Sequence, residues 1–408
     1  MKNIIDTLKE RGFIAQMTHE SEIYELFGKE KVTFYTGYDP TADSLHIGHF
    51  LTFMAMAWMQ KAGHRPVVLL GGGTGMVGDP TDRTDMRRVM GIEEVDSNVS
   101  RFKAQAATFI DFDDDAAVLV DNGDWLRKLN YMSFIREYGV HFSVNRMLAA
   151  DTYKTKWERG LTFFELNYMI MQAYDFLELN RRYGCTVQTG GNDQWSNIIA
   201  GVDLIRRVDQ KPAFGFTFNL LSRADGAKMG KTAGGAIWLD PAKTSPYDFF
   251  QYFRNTHDAD VRQYLCMLTF MPMEDINVIT SEGASCNIND AKEILAYEVT
   301  KIVHGEEEAT KAREAAKALF SGCGAGGNAP CFTLTTCQLG EGINILDLLV
   351  VSCLAPSKSE ARRNVTQGGI TIDGVKITDI AHTITASHFK DGEMLIQKGK
   401  KTFLKIVI

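Results

Sequence analysis

The first 244 residues alternate between short apolar runs and longer segments with helical periodicity. The short runs are rich in β-branched and aromatic residues and predict strands at 32–36, 65–70, 116–121, 185–189 and 214–221. The periodic segments predict helices at 50–58, 92–111, 125–138, 163–179 and from about 196 onward. Strands that alternate with helices are typical of a parallel sheet, so we expect an α/β fold here.

The remaining segments predict further domains. We expect residues 2–17 to form one amphipathic helix, because Ile4, Ile5 and Leu8 have helical spacing. The stretch from 245 to 320 has only helical patterns, and the Gly-rich stretch 321–330 is a linker candidate. Beyond it we predict two helices (343–353, 358–367), a hairpin (370–376) and closing strands (394–397, 402–408). The predicted boundaries are 1–244, 245–320, a linker at 321–340, and 341–408.

Composition and charge narrow the class of protein. The chain has 408 residues, 45% hydrophobic and 23% charged, as in ordinary globular proteins, and no apolar run reaches the roughly 18 residues that span a bilayer. Its first residues resemble neither a signal nor a transit peptide. Seven cysteines without a Cys-x-x-Cys pair argue against disulfides or structural zinc and for a reducing, cytoplasmic location. Net charge is −7, yet residues 341–408 hold nine Lys or Arg and seven Asp or Glu, a local +2 that suits an RNA partner.

The segment 32–49, VTFYTGYDPTADSLHIGH, combines a strand, a polar turn and a helix start. The amino end of a helix offers free N–H groups and a positive dipole, which favour a bound phosphate. His46 and His49 are three residues apart and share one helix face, which suits stabilisation of a negative transition state. Taken alone, however, two such histidines are more often ordinary surface or core residues.

A second motif lies in the apolar segment 163–179, where Tyr168, Gln172 and Asp175 fall within an arc of roughly 60°. A buried carboxylate needs a partner, so this stripe either lines a pocket or joins an internal polar network. Asp193 and Gln194 follow a predicted strand, at the edge where α/β sheets bind ligands. The glycines at 71–75 match neither the dinucleotide pattern nor the Walker pattern.

A third motif lies in the stretch 222–235, whose glycines and two lysines predict a mobile loop that could close on phosphates. A generic basic loop would have a similar composition. Together, Pro40–His49, the Tyr-x-x-x-Gln-x-x-Asp helix and KMGKT at 228–232 resemble, in order and spacing, the motifs of bacterial tyrosyl-tRNA synthetases, a class I aminoacyl-tRNA synthetase family. The last motif is usually KMSKS in that class.

The resemblance covers essentially the whole chain and implies a fold and site roles. The fold would be a Rossmann-like doubly wound parallel sheet, an α-helical anticodon-side domain, and a small α+β RNA-binding domain shared with a ribosomal protein. The implied tyrosine-binding residues are Tyr35, Asp79, Tyr168, Gln172, Asp175 and Gln188. The implied ATP or adenylate contacts are Gly37, Asp39, Gly48, Gly190, Gly191, Asp193, Gln194 and Lys231. The implied catalytic residues are Thr41, His46, His49, Lys228, Lys231 and Thr232.

The implied reaction activates L-tyrosine with ATP to tyrosyl-adenylate and pyrophosphate and then transfers tyrosine to tRNA(Tyr), with Mg²⁺ arriving with ATP and no organic cofactor. A homodimer through residues 125–150 is also implied, without membrane attachment. Two departures from the family bear on these roles: Thr36 stands where cysteine is common at a ribose contact, and residues 81–90, with Arg83 and Arg87, are atypical. The alternatives are a tryptophanyl enzyme, another adenylate-forming nucleotidyltransferase, and a non-catalytic RNA-binding protein.

Overall fold

The computed structural model of the chain describes residues 3–408 except 82–89, 151–152, 155–159, 222–228, 230, 233–234, 282–286, 321–330, 336–338, 340–341, 391 and 400–401. It divides into two compact units, Met1–Glu306 and Glu307–Ile408, and each is described by itself. None of the described helices combines the length and the apolar character that crossing a bilayer requires.

A six-stranded sheet forms the centre of the first unit. Its strands are β1 (Ile14–Met17), β2 (Thr33–Tyr38), β3 (Arg65–Leu70), β4 (Val118–Asp121), β5 (Val187–Gly191) and β6 (Phe214–Phe218). They lie in the order β1-β6-β5-β2-β3-β4, and all are parallel except the edge strand β1. Every residue of β5 and β6 is buried, as expected of a parallel sheet covered on both faces. The predicted α/β class with a parallel sheet is confirmed.

Helices connect and flank these strands. They are α1 (Ile4–Glu10), α2 (Glu20–Lys29), α3 (Ile47–Lys61), α4 (Ile92–Ala106), α5 (Gly123–Leu126), α6 (Tyr131–Glu137), α7 (Val144–Ala149), α8 (Phe163–Tyr183) and α9 (Trp195–Val208). A short hairpin, β7 (Lys231–Thr232) and β8 (Gly235–Ala236), precedes four more helices. These are α10 (Pro246–Arg254), α11 (Asp258–Leu268), α12 (Met273–Thr280) and α13 (Ile288–His304). Within the described part of 245–304 the regular elements are helices, as predicted.

The strand order reverses beside β2, and this sets the position of the site. From β2 the chain adds β3 and β4 on one side of the sheet, and then returns to add β5 and β6 on the other. Helices that leave β2 and β5 therefore diverge, and a crevice opens at the carboxyl ends of these two strands.

Two helices that border this crevice have well-defined starts. The N-cap of α8 is Thr162, whose hydroxyl accepts the N–H of Glu165, while the Glu165 carboxylate accepts the N–H of Thr162. This helix ends at Gly184, whose φ of +63° is a left-handed conformation that glycine adopts without strain. The start of α3 is capped by His46 in the same reciprocal manner with His49. Ten of the fifteen residues of α3 are buried, so the core of the unit holds this helix firmly in place.

Three predicted helices need correction. The single helix expected at 2–17 is wrong: α1 ends at Glu10, Gly12 has a φ of +84°, and residues 14–17 form the edge strand β1. The helix predicted at 92–111 ends earlier, at Ala106. The one predicted at 125–138 is broken into α5 and α6 by a turn.

The second unit begins at Glu307, the second residue of α14 (Glu306–Phe320). Beyond this helix it has an α+β fold. Its main sheet has the order β12-β11-β14-β15-β9, and β10 and β13 form a separate pair. The strands are β9 (Cys331–Thr333), β10 (Ile343–Asn344), β11 (Ile370–Ile372), β12 (Val375–Ile377), β13 (Thr383–Ile384), β14 (Glu393–Lys398) and β15 (Thr402–Val407). Two helices, α15 (Ile345–Val351) and α16 (Lys358–Thr366), pack on one apolar core with these strands.

The hairpin predicted at 370–376 is confirmed, with Asp373 and Gly374 at positive φ in its turn. The two predicted helices and the closing strands are also present, within a few residues of the predicted bounds. The strand β9, which pairs in parallel with β15, was not predicted. The domain boundaries expected at 244, 320 and 340 stay predictions, and the linker candidate 321–330 lies outside the described residues.

Candidate active site

A pocket of about 430 Å³ occupies the crevice at the carboxyl ends of β2 and β5. Its wall is built from β2, β5, the amino end of α3, one face of α8, and the loops that follow β3 and β4. One region of the wall is rich in hydrogen-bonding groups near α3, and another is buried between β2 and α8. The two regions have different chemistry.

Two stacked imidazoles lie at the amino end of α3. The ring centroids of His46 and His49 are 3.8 Å apart, and the rings are inclined by 18°. Nδ1 of His46 accepts the N–H of Gly48 at 3.0 Å, and Nδ1 of His49 accepts the N–H of His46 at 3.1 Å. A ring nitrogen that accepts carries no proton, so each neutral ring has its proton on Nε2. Both side chains can therefore donate an N–H to an anion in the pocket.

Burial keeps one of these rings neutral, since desolvation lowers the pKa of His46 to about 4. The ring is thus a hydrogen-bond donor rather than a cation at neutral pH. Gly48 is required beneath it, because a Cβ at that position would lie 2.9 Å from Cε1 of His46. The donors that the amino end of α3 presents to the pocket are therefore the two imidazoles, because the N–H groups of Ile47, Gly48 and His49 already have acceptors within the protein.

Asp39 links α8 to the Gly-rich turn after β3. Its Oδ2 accepts the Tyr168 hydroxyl at 2.8 Å, and its Oδ1 accepts the Thr74 hydroxyl at 2.7 Å. A Cβ on Gly71 would lie 2.1 Å from the same Oδ1, so glycine is needed for the close approach. Burial raises the pKa of Tyr168, which keeps its phenol protonated and able to donate to the carboxylate.

A second carboxylate, Asp79, also lines the pocket. Its Oδ2 accepts Nε2 of Gln194 at 2.6 Å, and its Oδ1 accepts the N–H of Thr81 at 2.8 Å. Nearby, Oε1 of Gln172 is buried and has no hydrogen-bond partner within the described structure. With Asp39 these groups form a wall of oxygen acceptors. Such a wall suits a ligand that brings several N–H donors, as an ammonium group does.

The buried end of the pocket contains Tyr35 and Asp175. Oδ1 of Asp175 accepts the indole N–H of Trp125 at 2.7 Å, and Oδ2 accepts the amide of Asn122 at 2.8 Å. The Tyr35 ring packs on Phe176 with centroids 5.3 Å apart. Its hydroxyl is buried and has no hydrogen-bond partner among the residues that the structure describes. A buried polar group without a partner is costly, so this end of the pocket favours a ligand with a hydroxyl group.

Burial also governs the charge of Asp175, because desolvation raises its pKa to about 8, against the two hydrogen bonds that lower it. The carboxyl is therefore close to the balance between its charged and neutral forms at neutral pH. A ligand hydroxyl can accept from one of these two side chains and donate to the other. The pocket wall also contains apolar side chains such as Leu69, against which a flat ring can pack.

Comparison with known proteins identifies the family. A family model described as tRNA synthetases class I (W and Y) matches residues 28–321, and another, described as Tyrosine–tRNA ligase SYY-like C-terminal domain, matches 328–406. A tyrosine–tRNA ligase of Clostridium kluyveri is 59% identical over 408 residues, covering 100% of both chains. The chain belongs to the tyrosine–tRNA ligase family. A tyrosine–tRNA ligase of Clostridium botulinum is 56% identical over 410 residues, again covering 100% of both chains.

A solved structure shares the fold of this tyrosine–tRNA ligase family member. It is a C-terminally truncated mitochondrial tyrosyl-tRNA synthetase of Aspergillus nidulans, 32% identical, with a TM-score of 0.71. The match covers 78% of this chain and 95% of the other. The class I synthetase fold inferred from the sequence is thereby confirmed.

Most of the predicted site residues come together around this one pocket of the ligase. Those that line it are Tyr35, Gly37, Asp39, Thr41, His46, Gly48, His49, Asp79, Tyr168, Gln172, Asp175, Gly190, Gly191, Asp193 and Gln194. Gln188 is buried next to Tyr35 in the strand register but does not line the pocket. Lys228, Arg83 and Arg87 lie outside the described residues, and of Lys231 and Thr232 only the backbone, in β7, is described.

The sequence did not indicate four groups that shape this ligase pocket: Thr74, Asn122, Trp125 and Thr189. Asn122 directly follows a predicted strand, and residues at the carboxyl ends of parallel strands often contact ligands, so its position could have indicated its role. Trp125 had no such signal, because its contact with Asp175 joins two helices 50 positions apart in sequence. Among the described residues no group of three or more His, Cys, Asp or Glu side chains could hold a metal ion.

Proposed function

We propose that the chain activates L-tyrosine with ATP to form tyrosyl-adenylate and pyrophosphate, and then transfers tyrosine to the 3′-terminal adenosine of tRNA(Tyr). The observation that carries the choice of amino acid is the buried pair of Tyr35 and Asp175 at the closed end of the pocket. A phenol hydroxyl gives both groups a partner, whereas an indole ring has no oxygen to accept from Tyr35. This favours tyrosine over tryptophan, the other substrate of the matching family model.

The acceptor wall holds the amino group in this proposal. Asp79, Tyr168 and Gln172 surround the ammonium of tyrosine, and Asp39 fixes the Tyr168 hydroxyl from the other side. With the phenol at one end and the ammonium at the other, the substrate carboxylate is left facing α3. Gln188 lies beside Tyr35 on the neighbouring strand, and we assign it to the tyrosine-binding part of the site.

The α3 side of the pocket receives ATP. Gly37, Gly48, Gly190, Gly191, Asp193 and Gln194 border the nucleotide, where the glycines allow its rings to approach the backbone. Thr41, His46 and His49 direct hydrogen-bond donors at the phosphates as negative charge develops. Lys228, Lys231 and Thr232 complete the phosphate contacts. The carboxylate of tyrosine attacks the α-phosphorus in line and pyrophosphate leaves, so catalysis consists of positioning and charge stabilisation.

ATP is a substrate here, and we expect Mg²⁺ to arrive bound to its phosphates, neutralising part of their charge. No residue of the chain is assigned to hold the ion before ATP binds. We likewise expect the reaction to need no organic cofactor and to take place in the cytoplasm.

The second unit supplies RNA binding in this proposal. Its net positive charge contrasts with the acidic remainder of the chain, and positive charge attracts the phosphates of tRNA. The helical segment predicted at 245–320 follows the catalytic part in sequence and runs into the start of this unit, and we assign it to the anticodon side.

We further infer a homodimer. Of the fifteen large apolar side chains that are exposed in the described residues, six lie in the segment from α6 to the start of α8. These are Tyr131, Met132, Val140, Val144, Phe163 and Phe164. So many exposed apolar side chains in one segment favour a protein partner, and a second copy related by two-fold symmetry is the commonest one. The patch extends the predicted interface of 125–150 toward residue 164.

Pyrophosphate exchange with ATP tests the activity directly. Exchange that depends on tyrosine, and that tryptophan and phenylalanine do not support at equal concentration, is the expected result. Light scattering at micromolar concentration tests the dimer: the expected mass is twice 45.5 kDa, and Met132→Lys should reduce it to that of one chain. Exchange with tryptophan alone, or a single-chain mass for the unaltered protein, would contradict the respective proposal.

A further inference from the structure

Two threonine hydroxyls meet in the pocket wall between β2 and β5. Thr36 and Thr189 are register partners on these parallel strands, and both line the pocket. Their Oγ1 atoms are 2.7 Å apart, and each residue is only 2% exposed. A buried contact of this length between two hydroxyls is a hydrogen bond in which one donates and the other accepts.

The direction of that bond follows from a third atom. Oγ1 of Thr189 lies 3.0 Å from the carbonyl oxygen of Tyr35, which can only accept. Thr189 has one hydroxyl proton, so it donates that proton to the carbonyl. Donation by Thr36 to Thr189 then makes both contacts of Thr189 hydrogen bonds. The opposite arrangement would place two buried oxygens 3.0 Å apart with no proton between them, a cost that the observed arrangement avoids.

We propose that Thr189 is a positioning residue, which takes the proton of Thr36 and so leaves Thr36 as a hydrogen-bond acceptor toward the pocket. Side chains alternate across a strand, so Thr36 faces the same side of the sheet as Tyr38. The Tyr38 ring lies 6.0 Å from that of His49, and its hydroxyl contacts Thr52 at 3.0 Å, both on α3. Thr36 therefore faces the α3 side of the pocket.

This inference rests on the proposed function, which places ATP on the α3 side. The donors of ATP are its ribose hydroxyls and its adenine amino group, and the resemblance implies a ribose contact at position 36, so we assign a ribose hydroxyl as the donor to Thr36. Thr189 does not touch the nucleotide in this arrangement. It acts through Thr36. Because the Thr36 hydroxyl donates its proton to Thr189, it cannot turn and donate that proton to the ligand.

Two isosteric substitutions and their combination test the arrangement. Thr189→Val and Thr36→Val should each raise the KM for ATP by roughly twofold to tenfold in tyrosine-dependent pyrophosphate exchange, the range for one hydrogen bond. The KM for tyrosine should not change. In the Thr36→Val background, adding Thr189→Val should have no further effect on the KM for ATP, because the Thr36 hydroxyl through which Thr189 acts is already absent.

A matched control is Thr300→Val on α13, which also removes a buried hydroxyl that donates to a backbone carbonyl, at 2.6 Å from Ala296. It should leave both KM values unchanged. The ribose is identified with 2′-deoxy-ATP and 3′-deoxy-ATP: for the analogue that lacks the donating hydroxyl, Thr189→Val should cause no additional loss.

Three results would overturn the proposal. Thr189→Val could raise both KM values together, or act as strongly in the Thr36→Val background as alone, or match Thr300→Val in every assay. Each would assign Thr189 to general stability of the sheet. Failure of the proposed function would look different, since the unaltered protein would then show no exchange with tyrosine at all.

Discussion

Replacing Asp175 with alanine should reduce the activation of tyrosine more than it reduces the activation of phenylalanine. In the structure the carboxylate accepts from Trp125 and Asn122 at 2.7 and 2.8 Å, and it faces the same end of the pocket as the Tyr35 hydroxyl. Tyrosine brings a hydroxyl to this end, whereas phenylalanine does not. The substitution therefore has a cost specific to tyrosine and a cost common to both substrates.

The ratio of kcat/KM for the two substrates separates these costs, because the cost common to both cancels. A hydrogen bond from the phenol of tyrosine to the ionised form of Asp175 contributes about 1.5–3 kcal/mol, and tyrosine alone loses it. Alanine also leaves the indole N–H of Trp125 and the amide of Asn122 without their acceptor, and that loss affects both substrates. Since about 1.4 kcal/mol corresponds to tenfold, the ratio of kcat/KM for tyrosine to that for phenylalanine should fall roughly tenfold to a hundredfold.

Pyrophosphate exchange with each amino acid on the purified variant measures that ratio. Asp79→Ala is the control, because it removes an ammonium contact common to both amino acids, and it should lower both values of kcat/KM while the ratio stays near that of the unaltered protein. An Asp175→Ala protein that loses tyrosine and phenylalanine activation equally would contradict the proposed contact between Asp175 and the phenol of tyrosine. Asp175 would then be a structural residue of α8, and the phenol would bind elsewhere.

Three further changes have distinct expected results. Lys231→Ala should slow adenylate formation by about 3 kcal/mol in transition-state energy while the KM for tyrosine holds, as rapid-quench kinetics would show; a raised KM with an unchanged rate would contradict this. Burial lowers the pKa of His46 to about 4, so the native protein should lose stability as pH falls from 6.5 to 4. In urea unfolding, His46→Asn should lack this part of the loss, and equal pH profiles for the two proteins would contradict the prediction. Deleting 328–408 should preserve exchange and abolish tRNA charging, and a parallel loss of both would indicate only a stabilising role.

The sequence predicted the elements whose pattern is local. The strand–turn–helix at 32–49 is present as β2 and α3, since β-branched residues, a polar turn and an apolar helix agree there. The stripe of Tyr168, Gln172 and Asp175 on α8 lines a pocket, as one of the two predicted alternatives required. In both cases the polar positions within an apolar segment were the signal, because burial makes unpartnered polar groups costly.

Elements that depend on distant partners were missed or wrongly assigned. Residues 14–17 form a strand because they pair with β6 about 200 positions later, and the helical spacing of Ile4, Ile5 and Leu8 ends at Gly12. Arg11, beside this break, is 4% exposed, and its guanidinium lies 4.0 Å over the Trp58 ring and donates to the carbonyl of Cys266. None of these long-range contacts has a local signature.

The site shows the same division. Motifs named most of the pocket-lining residues, because each short motif is continuous in sequence. The hydrogen bonds that fix their protonation were not predictable, since the acceptor role of Nδ1 in His46 depends on the backbone geometry at the start of α3. The bond from Trp125 to Asp175 and that between Thr36 and Thr189 likewise depend on the assembled fold.

A crystal structure of the protein with L-tyrosine would locate the phenol relative to Tyr35 and Asp175, the two groups that we propose select it. We expect the phenol oxygen within hydrogen-bond distance of both the Tyr35 hydroxyl and the Asp175 carboxylate, with the ammonium group at Asp79, Tyr168 and Gln172. Tyrosine bound in the reverse direction, with its ammonium at Asp175, or bound outside this pocket, would show that the pocket does not select tyrosine in this way.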